Sequence, residues 1–284
     1  MRIPDDEIRT VEVRQWRGVH LLHFSESSCS QKVRIMLREK GIPWESHPVD
    51  LARQQHVTPW FLGINPRGVV PALVHDGVVH VESNDILEYL DERVASAAEP
   101  FFPQNDRERR IVRASLELED SLHMDLRTIT MGFLAPASLA RKSPKTLEAY
   151  ERDGAPDPKR DAEVAWWRRF AEVGIPDADA RASAAAFGRA FDQLDTRLAG
   201  EPWLLGERIS VLEIAWFISV HRLVLAAYPL ERHPHLRAHY ERLLERPGFA
   251  AEVENRGLLA LGQRGYRAFR RLRGTTLGDL LAVG

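Results

Sequence analysis

Cysteine is nearly absent from this chain: Cys29 is the only one in 284 residues. A lone thiol excludes any disulfide within the chain and fits a reducing compartment. Long apolar runs are missing too, none approaching the roughly 20 residues of a membrane span. The N-terminal stretch MRIPDDEIRTVEVRQW has no apolar centre of the kind a signal peptide needs. The expectation is a cytoplasmic protein with no membrane span. Charge of one sign is not in excess either. Thirty-nine Lys and Arg face 41 Asp and Glu, a net charge of −2, so nothing draws the chain to nucleic acid or to an anionic membrane. No clustered ligands stand at recognisable metal-binding spacing, and no metal is expected. No G-x-S-x-G setting makes a serine into a hydrolytic nucleophile, and there is no internal repeat. What remains is a chain 44% hydrophobic and 28% charged, suited to a globular protein with a sizeable core. Its length suggests two domains.

Residues 1–18 are polar and mixed in charge and read as an extension of the first domain. Val19 to Phe24 is a short apolar run, a buried strand. From about Ser30 to Lys40 the apolar residues Val33, Met36 and Leu37 fall at helical spacing, and Gly41 is a fitting stop. Trp44 to Val49 can form the next strand. Strand, helix and strand in about 30 residues make a βαβ unit with parallel strands. A second half follows: Val70 to Val74 as a strand, Asp76-Gly77 as a hairpin turn, Val78 to Val81 returning antiparallel, and a helix capped by Ser83. This order, over residues 19–95, matches an α/β thioredoxin-like domain.

Two prolines between about Ser96 and Asp106 mark a break. Beyond it, residues 105–256 read as an all-α helical domain. Ile111–Leu126 and Ala184–Leu198 are amphipathic. Ser210 and Glu213 form a capping box that opens a mostly apolar, hence central, helix. Residues 135–180, rich in charge and proline, read as a partly helical insertion in this domain. The 257–284 tail carries five arginines and places Tyr266, Phe269 and Leu272 at i, i+3, i+6. It reads as a helix lying on its own protein.

The chemistry starts at the cysteine. Ser27-Ser-Cys-Ser30 occupies the turn between the first strand and the first helix, where redox members of this fold carry Cys-x-x-Cys. Serines at both redox positions remove a dithiol cycle, but a hydroxyl can donate a hydrogen bond to a thiolate that belongs to another molecule. A helix N-terminus also offers unpaired N–H groups and about half a positive charge. A charge-assisted hydrogen bond is worth about 1.5–3 kcal/mol and a helix end about 0.3–1 kcal/mol. At about 1.4 kcal/mol per pK unit, together they bring a thiol from about 8.5 to near 7. The pattern points to a bound thiol cofactor, glutathione. Val70-Pro71 supports it: a cis bond there would turn the valine backbone outward, where its N–H and C=O can pair with a peptide-like ligand. Glu82-Ser83, opening the next helix, can hold a ligand ammonium and carboxylate.

From about Leu21 to Val253 the sequence resembles the cytosolic glutathione S-transferases. SSCSQKVRI (Ser27 to Ile35) is similar to the zeta-class signature of maleylacetoacetate isomerase. It also resembles tetrachlorohydroquinone dehalogenase and the ganglioside-induced differentiation-associated proteins. PWFLGINPRG (Pro59 to Gly68) looks like the bacterial β-etherases, and the insertion resembles the β-etherase and differentiation-protein branches. The resemblance implies that Ser27 faces the glutathione thiol with Ser28 beside it, and that Cys29 assists. It implies that Gln55 and His56 hold the glycyl carboxylate, Val70 and Pro71 the backbone, and Glu82 and Ser83 the γ-glutamyl group. It also implies a homodimer and a small electrophilic substrate. His123 and Arg127 lie on the helix where this fold builds its electrophile pocket, and the 135–180 segment, which follows that helix, is expected to gate it.

Plainer readings stand beside these. Ser27 can be a helix cap, Cys29 a packing residue, and Trp166-Trp167 the core of the insertion. The reaction classes left open are conjugation, thiolytic removal of a halide or aryloxide, and addition–elimination that isomerises a double bond. A non-catalytic module of the same fold is the alternative from another class.

Overall fold

The computed structural model describes residues 1–137, 141–153, 158–254 and 258–283. The chain divides into two compact units. One is Met1–Glu99 with Arg141–Val173; the other is Pro100–Ala140 with Gly174–Gly284.

The first unit is built on a four-stranded sheet of order β2-β1-β3-β4. Its elements in chain order are β1 (Val19–His23), α1 (Ser28–Glu39), β2 (Glu45–Pro48), α2 (Pro59–Leu62), β3 (Ala72–His75), β4 (Val78–His80) and α3 (Ser83–Arg93). β1 is parallel to β2 and antiparallel to β3, and β3 and β4 form a hairpin. The hairpin turn has positive φ at both Asp76 (49°) and Gly77 (83°), the combination that an Asp-Gly pair tolerates. β3 starts at Ala72 rather than Val70, since Pro71 has no N–H to give a ladder. Leu21, Leu22, Leu73 and Val74 are fully buried, and α1 packs against α3.

The N-terminal extension is part of this core. Ile3 donates to the Val79 carbonyl at 2.9 Å, the terminal amine of Met1 to that of Val81 at 2.8 Å, and Arg2 bridges His80 in antiparallel fashion. Ile3, Ile8 and Val13 are buried in it.

Two further helices of the first unit come from the segment read as an insertion of the helical domain: α6 (Pro144–Asp153) and α7 (Pro158–Val173). They pack on each other, and α6 packs on the short turn Gln55–Val57. Among the contacts that attach them are the Tyr150 ring on His56 and Arg160 on the Pro66 and Arg67 carbonyls, which no apolar periodicity announces. Of the 135–180 stretch, residues 138–140 and 154–157 lie outside the described residues.

The second unit is helical: α4 (Asp106–Ser121), α5 (His123–Phe133), α8 (Asp177–Leu198), α9 (Val211–Leu225), α10 (Pro234–Leu244), α11 (Pro247–Val253), α12 (Leu258–Leu272) and α13 (Leu277–Ala282). The amphipathic run over 111–126 is two helices, broken at Leu122. α9 is buried over most of its length and opens with the capping box: the Ser210 N–H donates to Glu213 Oε2 at 2.7 Å and the Ser210 oxygen accepts from the Leu212 N–H at 3.2 Å. The tail does lie on its own unit, but through other residues than the expected stripe. Arg270 donates to the Gly132 carbonyl at 2.7 Å and lies over the Phe133 ring, and Leu277 is fully buried. Phe269 and Leu272 are exposed. Residues 255–257 and 284 lie outside the described residues.

Candidate functional site

The N-terminus of α1 begins at Ser27, which has extended backbone (φ −76°, ψ 120°) and whose Oγ accepts from the Ser30 N–H at 3.3 Å. The cap uses a lone pair of Ser27, so its O–H proton can still be donated outward. Ser28 and Cys29 occupy the first turn, half-buried like Ser27. Ser30 is fully buried and accepts weakly from the Phe24 N–H at 3.5 Å.

Arg34 holds the loop that leads into this helix. From the next turn of α1 its guanidinium donates to the Ser25 carbonyl at 2.8 Å, the Phe24 carbonyl at 3.1 Å and His23 Nδ1 at 3.0 Å. A guanidinium only donates, so His23 Nδ1 accepts, and Nε2–H donates to Ser46 Oγ at 2.7 Å. Burial, with Arg34 beside it, lowers the His23 pKa to about 4. Burial also lowers that of Arg34, to about 10, so Arg34 stays charged at neutral pH. A buried cation thus backs a helix N-terminus, and both favour an anion at its mouth.

The Val70-Pro71 bond is cis. Because Leu22 pairs with Ala72, Val70 and Pro71 lie beside the C-terminal end of β1, the end that leads into Ser27. The loop before them is tied from both sides. Asn65, fully buried, donates to the Val69 carbonyl at 2.7 Å. Arg160 of α7, also buried, donates to the Arg67 carbonyl at 2.9 Å and the Pro66 carbonyl at 3.4 Å. It also donates to the Tyr150 carbonyl and lies 4.3 Å from the centre of that ring.

Glu82 stands at the cap position of α3 with φ 64° and ψ 114°. Ser83 is therefore the first helical residue, not the cap. The Glu82 carboxylate does not cap the helix. It pairs instead with Arg67 at close range and with Lys159 Nζ at 3.7 Å. A non-glycine residue with this backbone stores about 1–3 kcal/mol and is held there by its surroundings. Lys32 of α1 donates to Asn84 Oδ1 at 3.2 Å and so links the two helix N-termini.

Gln55 is exposed and its Oε1 accepts from the Asp50 N–H at 2.7 Å. His56 is buried, edge-on to Tyr150 with centroids 5.9 Å apart, and its Nδ1 has no hydrogen-bond partner. Burial above all, with Lys142 adding to it, lowers its pKa to about 3, so the ring is neutral. Lys142 itself donates to Gln54 Oε1 at 3.2 Å.

His123 and Arg127 belong to the second unit, one turn apart on α5, with Arg127 Nη2 3.3 Å from His123 Nε2. Trp166 and Trp167 pack edge to face, and Trp166 stacks on Phe170.

Ser27, Ser28, Cys29, Gln55, His56, Val70, Pro71, Glu82 and Ser83 thus all lie in the first unit. Several participants escape a reading of the sequence. Arg34 is one charge among several on α1. Arg67 sits in the Pro-Arg-Gly stretch ahead of Val70, which gave a faint signal. Lys159 stands 77 positions from Glu82, and Arg160 93 from Arg67, and neither gave a signal.

The family description "Glutathione S-transferase, N-terminal domain" matches residues 26–93, and "Glutathione S-transferase, C-terminal domain" matches residues 146–242. Protein LigF of Sphingobium sp. strain SYK-6 is 28% identical over 204 residues, 72% of this chain and 78% of LigF. The crystal structure of that protein, titled β-etherase LigF, superposes with a TM-score of 0.72 at 27% identity, covering 84% of this chain and 99% of that one. Mouse maleylacetoacetate isomerase is 40% identical over 100 residues, 34% of this chain. The chain spans less than half the length of that isomerase, 45%, and 41% of a Dianthus caryophyllus relative, "Glutathione S-transferase 1". A theta-class glutathione S-transferase structure from Xanthomonas axonopodis pv. citri, with glutathione bound, matches at 25% identity and a TM-score of 0.61, covering 85% of this chain and 99% of that chain.

Proposed function

The chain belongs to the glutathione S-transferase family, and from that footing we propose that it is an enzyme that binds glutathione and activates its thiol for attack on an electrophilic carbon. The observation that carries the proposal is the N-terminus of α1, with the half-buried Ser27 hydroxyl at its cap and the charged Arg34 behind it.

The donor set suits a γ-glutamyl tripeptide. The Ser27 O–H donates to the thiolate, and the α1 dipole and Arg34 add to its stabilisation. Ser28 N–H faces the same end, with Cys29 as helper. The backbone of Val70 ahead of Pro71 pairs with the peptide in strand fashion. Glu82 takes the ammonium of the γ-glutamyl group, while the Ser83 N–H and hydroxyl take its carboxylate, with Arg67 beside them. Gln55 and the neutral His56 serve the glycyl end as hydrogen-bond donors. Glutathione supplies the sulfur; the protein supplies orientation and a lowered thiol pKa. His123 and Arg127 are assigned to the electrophile.

Among reaction classes, thiolytic cleavage has the widest support, since the β-etherase LigF is similar over most of both chains. A carbon–sulfur bond forms as a carbon–oxygen bond breaks, and the aryloxide leaves with the electron pair. Isomerisation of a cis double bond is the second reading, supported by the 40% identity to maleylacetoacetate isomerase over 100 residues. Incubating the enzyme and glutathione with a β-aryl ether, an aryl halide and a cis-enone acid separates these. Release of free phenol with a glutathione adduct supports the first. Isomerisation with no net glutathione consumption would replace it.

A homodimer is also proposed, on family grounds, and light scattering checks it. A cytoplasmic setting suits a lone cysteine and a thiol co-substrate. Among the described residues no helix is long and apolar enough to cross a membrane.

A further inference from the structure

We propose that His20, Glu45 and His47 form a binding site for a divalent transition-metal ion, zinc as its type, on the edge of the sheet away from the thiol site. The register builds it. In the parallel pairing of β1 and β2, His20 is the partner of Glu45, and His47 lies two residues further along β2, so the three side chains share one face. His20 Nδ1 is 3.0 Å from His47 Nε2 and 3.4 Å from Glu45 Oε2, and His47 Nε2 is 3.5 Å from Glu45 Oε1.

The two Glu45 distances run to different oxygens of its carboxylate, and one ligand atom from each residue lies within 4.8 Å of the others. Tetrahedral zinc with bonds of about 2.0–2.2 Å has ligand atoms about 3.3–3.6 Å apart. An ion would enter with a few tenths of an ångström of spreading in the His20–His47 pair and a turn of the exposed Glu45 carboxylate toward both rings.

The hydrogen bonding is that of a ligand histidine. His20 Nε2 lies 2.8 Å from the Arg17 carbonyl. A carbonyl only accepts, so Nε2 carries a hydrogen and Nδ1 presents its lone pair to the cluster, where it accepts from His47 Nε2–H; an ion would take His47 Nε2 in the ring's other tautomer, with the hydrogen on Nδ1. A backbone carbonyl on the far nitrogen is the usual support of a metal-bound imidazole.

The rings are held in place. Trp16 stacks on His47 with centroids 4.4 Å apart and a 10° interplanar angle, and lies 4.7 Å from His20. This gives Trp16 of the N-terminal extension a role that packing alone does not assign. His20 is buried while Glu45 is two-thirds exposed. The open side faces solvent and leaves a fourth position for water. Two imidazoles with one carboxylate suit zinc, copper or nickel over magnesium or calcium. The thiol site lies off the other end of β1, so the ion acts on the sheet: it ties the short edge strand β2 to β1.

The test uses the full chain and Zn²⁺, in competition with a coloured chelator, with Co²⁺ as the spectroscopic probe. One equivalent of Zn²⁺ should bind and raise the melting temperature reversibly on chelation, and Co²⁺ should give the absorption of a low-coordinate nitrogen and oxygen site. Glu45→Gln and His47→Gln should each weaken Zn²⁺ binding at least tenfold, since even supporting partners of a ligand are worth about 10–100-fold. Cys29→Ser should leave it unchanged. Absence of Zn²⁺ binding, binding equal in wild type and both variants, or loss of binding in Cys29→Ser would overturn the proposal. Circular dichroism confirms that the variants, both altered outside the buried core, are folded.

Discussion

Arg160 donates from Nη1 to the carbonyl oxygen of Arg67 at 2.9 Å, across 93 positions of sequence. The bond joins α7 to the loop that carries Val70 and Pro71. Arg67 in turn pairs with Glu82, so one chain of contacts runs from the 141–173 segment to the candidate γ-glutamyl site. The sequence reads that segment as a gate for the electrophile; these contacts tie it to residues proposed to hold glutathione.

Arg160→Met should therefore raise the KM for glutathione about three- to tenfold, as the loop loses its ties. Stability should fall by about 2–4 kcal/mol, because the carbonyls of Pro66, Arg67 and Tyr150 lose a donor. Steady-state kinetics with denaturant unfolding checks both. An unchanged glutathione KM beside a raised electrophile KM would support the gating role instead.

Glu82→Gln tests the ammonium contact. Loss of one charge-assisted bond, about 1.5–3 kcal/mol, should weaken glutathione binding about 10–150-fold. The pKa of the bound thiol should not move, since the proposed donor to it is Ser27. Calorimetry gives the first and absorbance titration the second. A shifted thiol pKa with intact affinity would contradict this assignment.

The sheet, the helix mouth and the capping box were all legible from sequence, because each is a local pattern. Val33, Met36 and Leu37 give a helical period, Asp76-Gly77 a two-residue turn, and Ser210 with Glu213 a reciprocal cap. That Ser27, Val70 and Glu82 fall in one domain was legible from the strand and helix order over residues 19–95, and the family resemblance supplied the parts proposed for them. What escaped is what long-range polar contacts decide. Arg160 on the Arg67 carbonyl leaves no periodic trace, nor does the His20–Glu45–His47 cluster, which exists only in the parallel register. The tail misled because Tyr266, Phe269 and Leu272 form a regular stripe, whereas Arg270 makes the attachment through Gly132 and Phe133.

Stability should fall in mild acid. His56 has its pKa lowered to about 3, against about 6.5 in an unfolded chain. The unfolded state then takes up a proton that the folded state refuses. This contribution is complete above about pH 6.5 and is lost as pH falls toward 3, by about 2 kcal/mol at pH 5. His23 and His80, lowered to about 4, act in the same direction. Urea unfolding at about pH 7.5 and about pH 5 should show a shallower pH dependence in His56→Asn than in wild type. Identical slopes would mean that His56 is protonated in the folded protein.

Gly77→Ala should destabilise the first unit. Its φ is +83°, and an added Cβ would run into the Arg14 carbonyl of the N-terminal extension. Strain and clash together should cost about 2–4 kcal/mol, read as a lower urea midpoint. A loss below about 0.5 kcal/mol, the size of an ordinary surface change, would mean that the extension can move away.

The proposed chemistry requires Ser27 as donor to a thiolate that belongs to glutathione. The direct measurement is thiolate absorbance of bound glutathione against pH in wild type, Ser27→Ala and Cys29→Ala. Ser27→Ala should raise the bound thiol pKa by about one to two units and leave glutathione affinity nearly unchanged, and Cys29→Ala should move the pKa little. An unmoved pKa in Ser27→Ala, beside a Cys29→Ala protein without activity, would contradict the account and pass the central role to the cysteine.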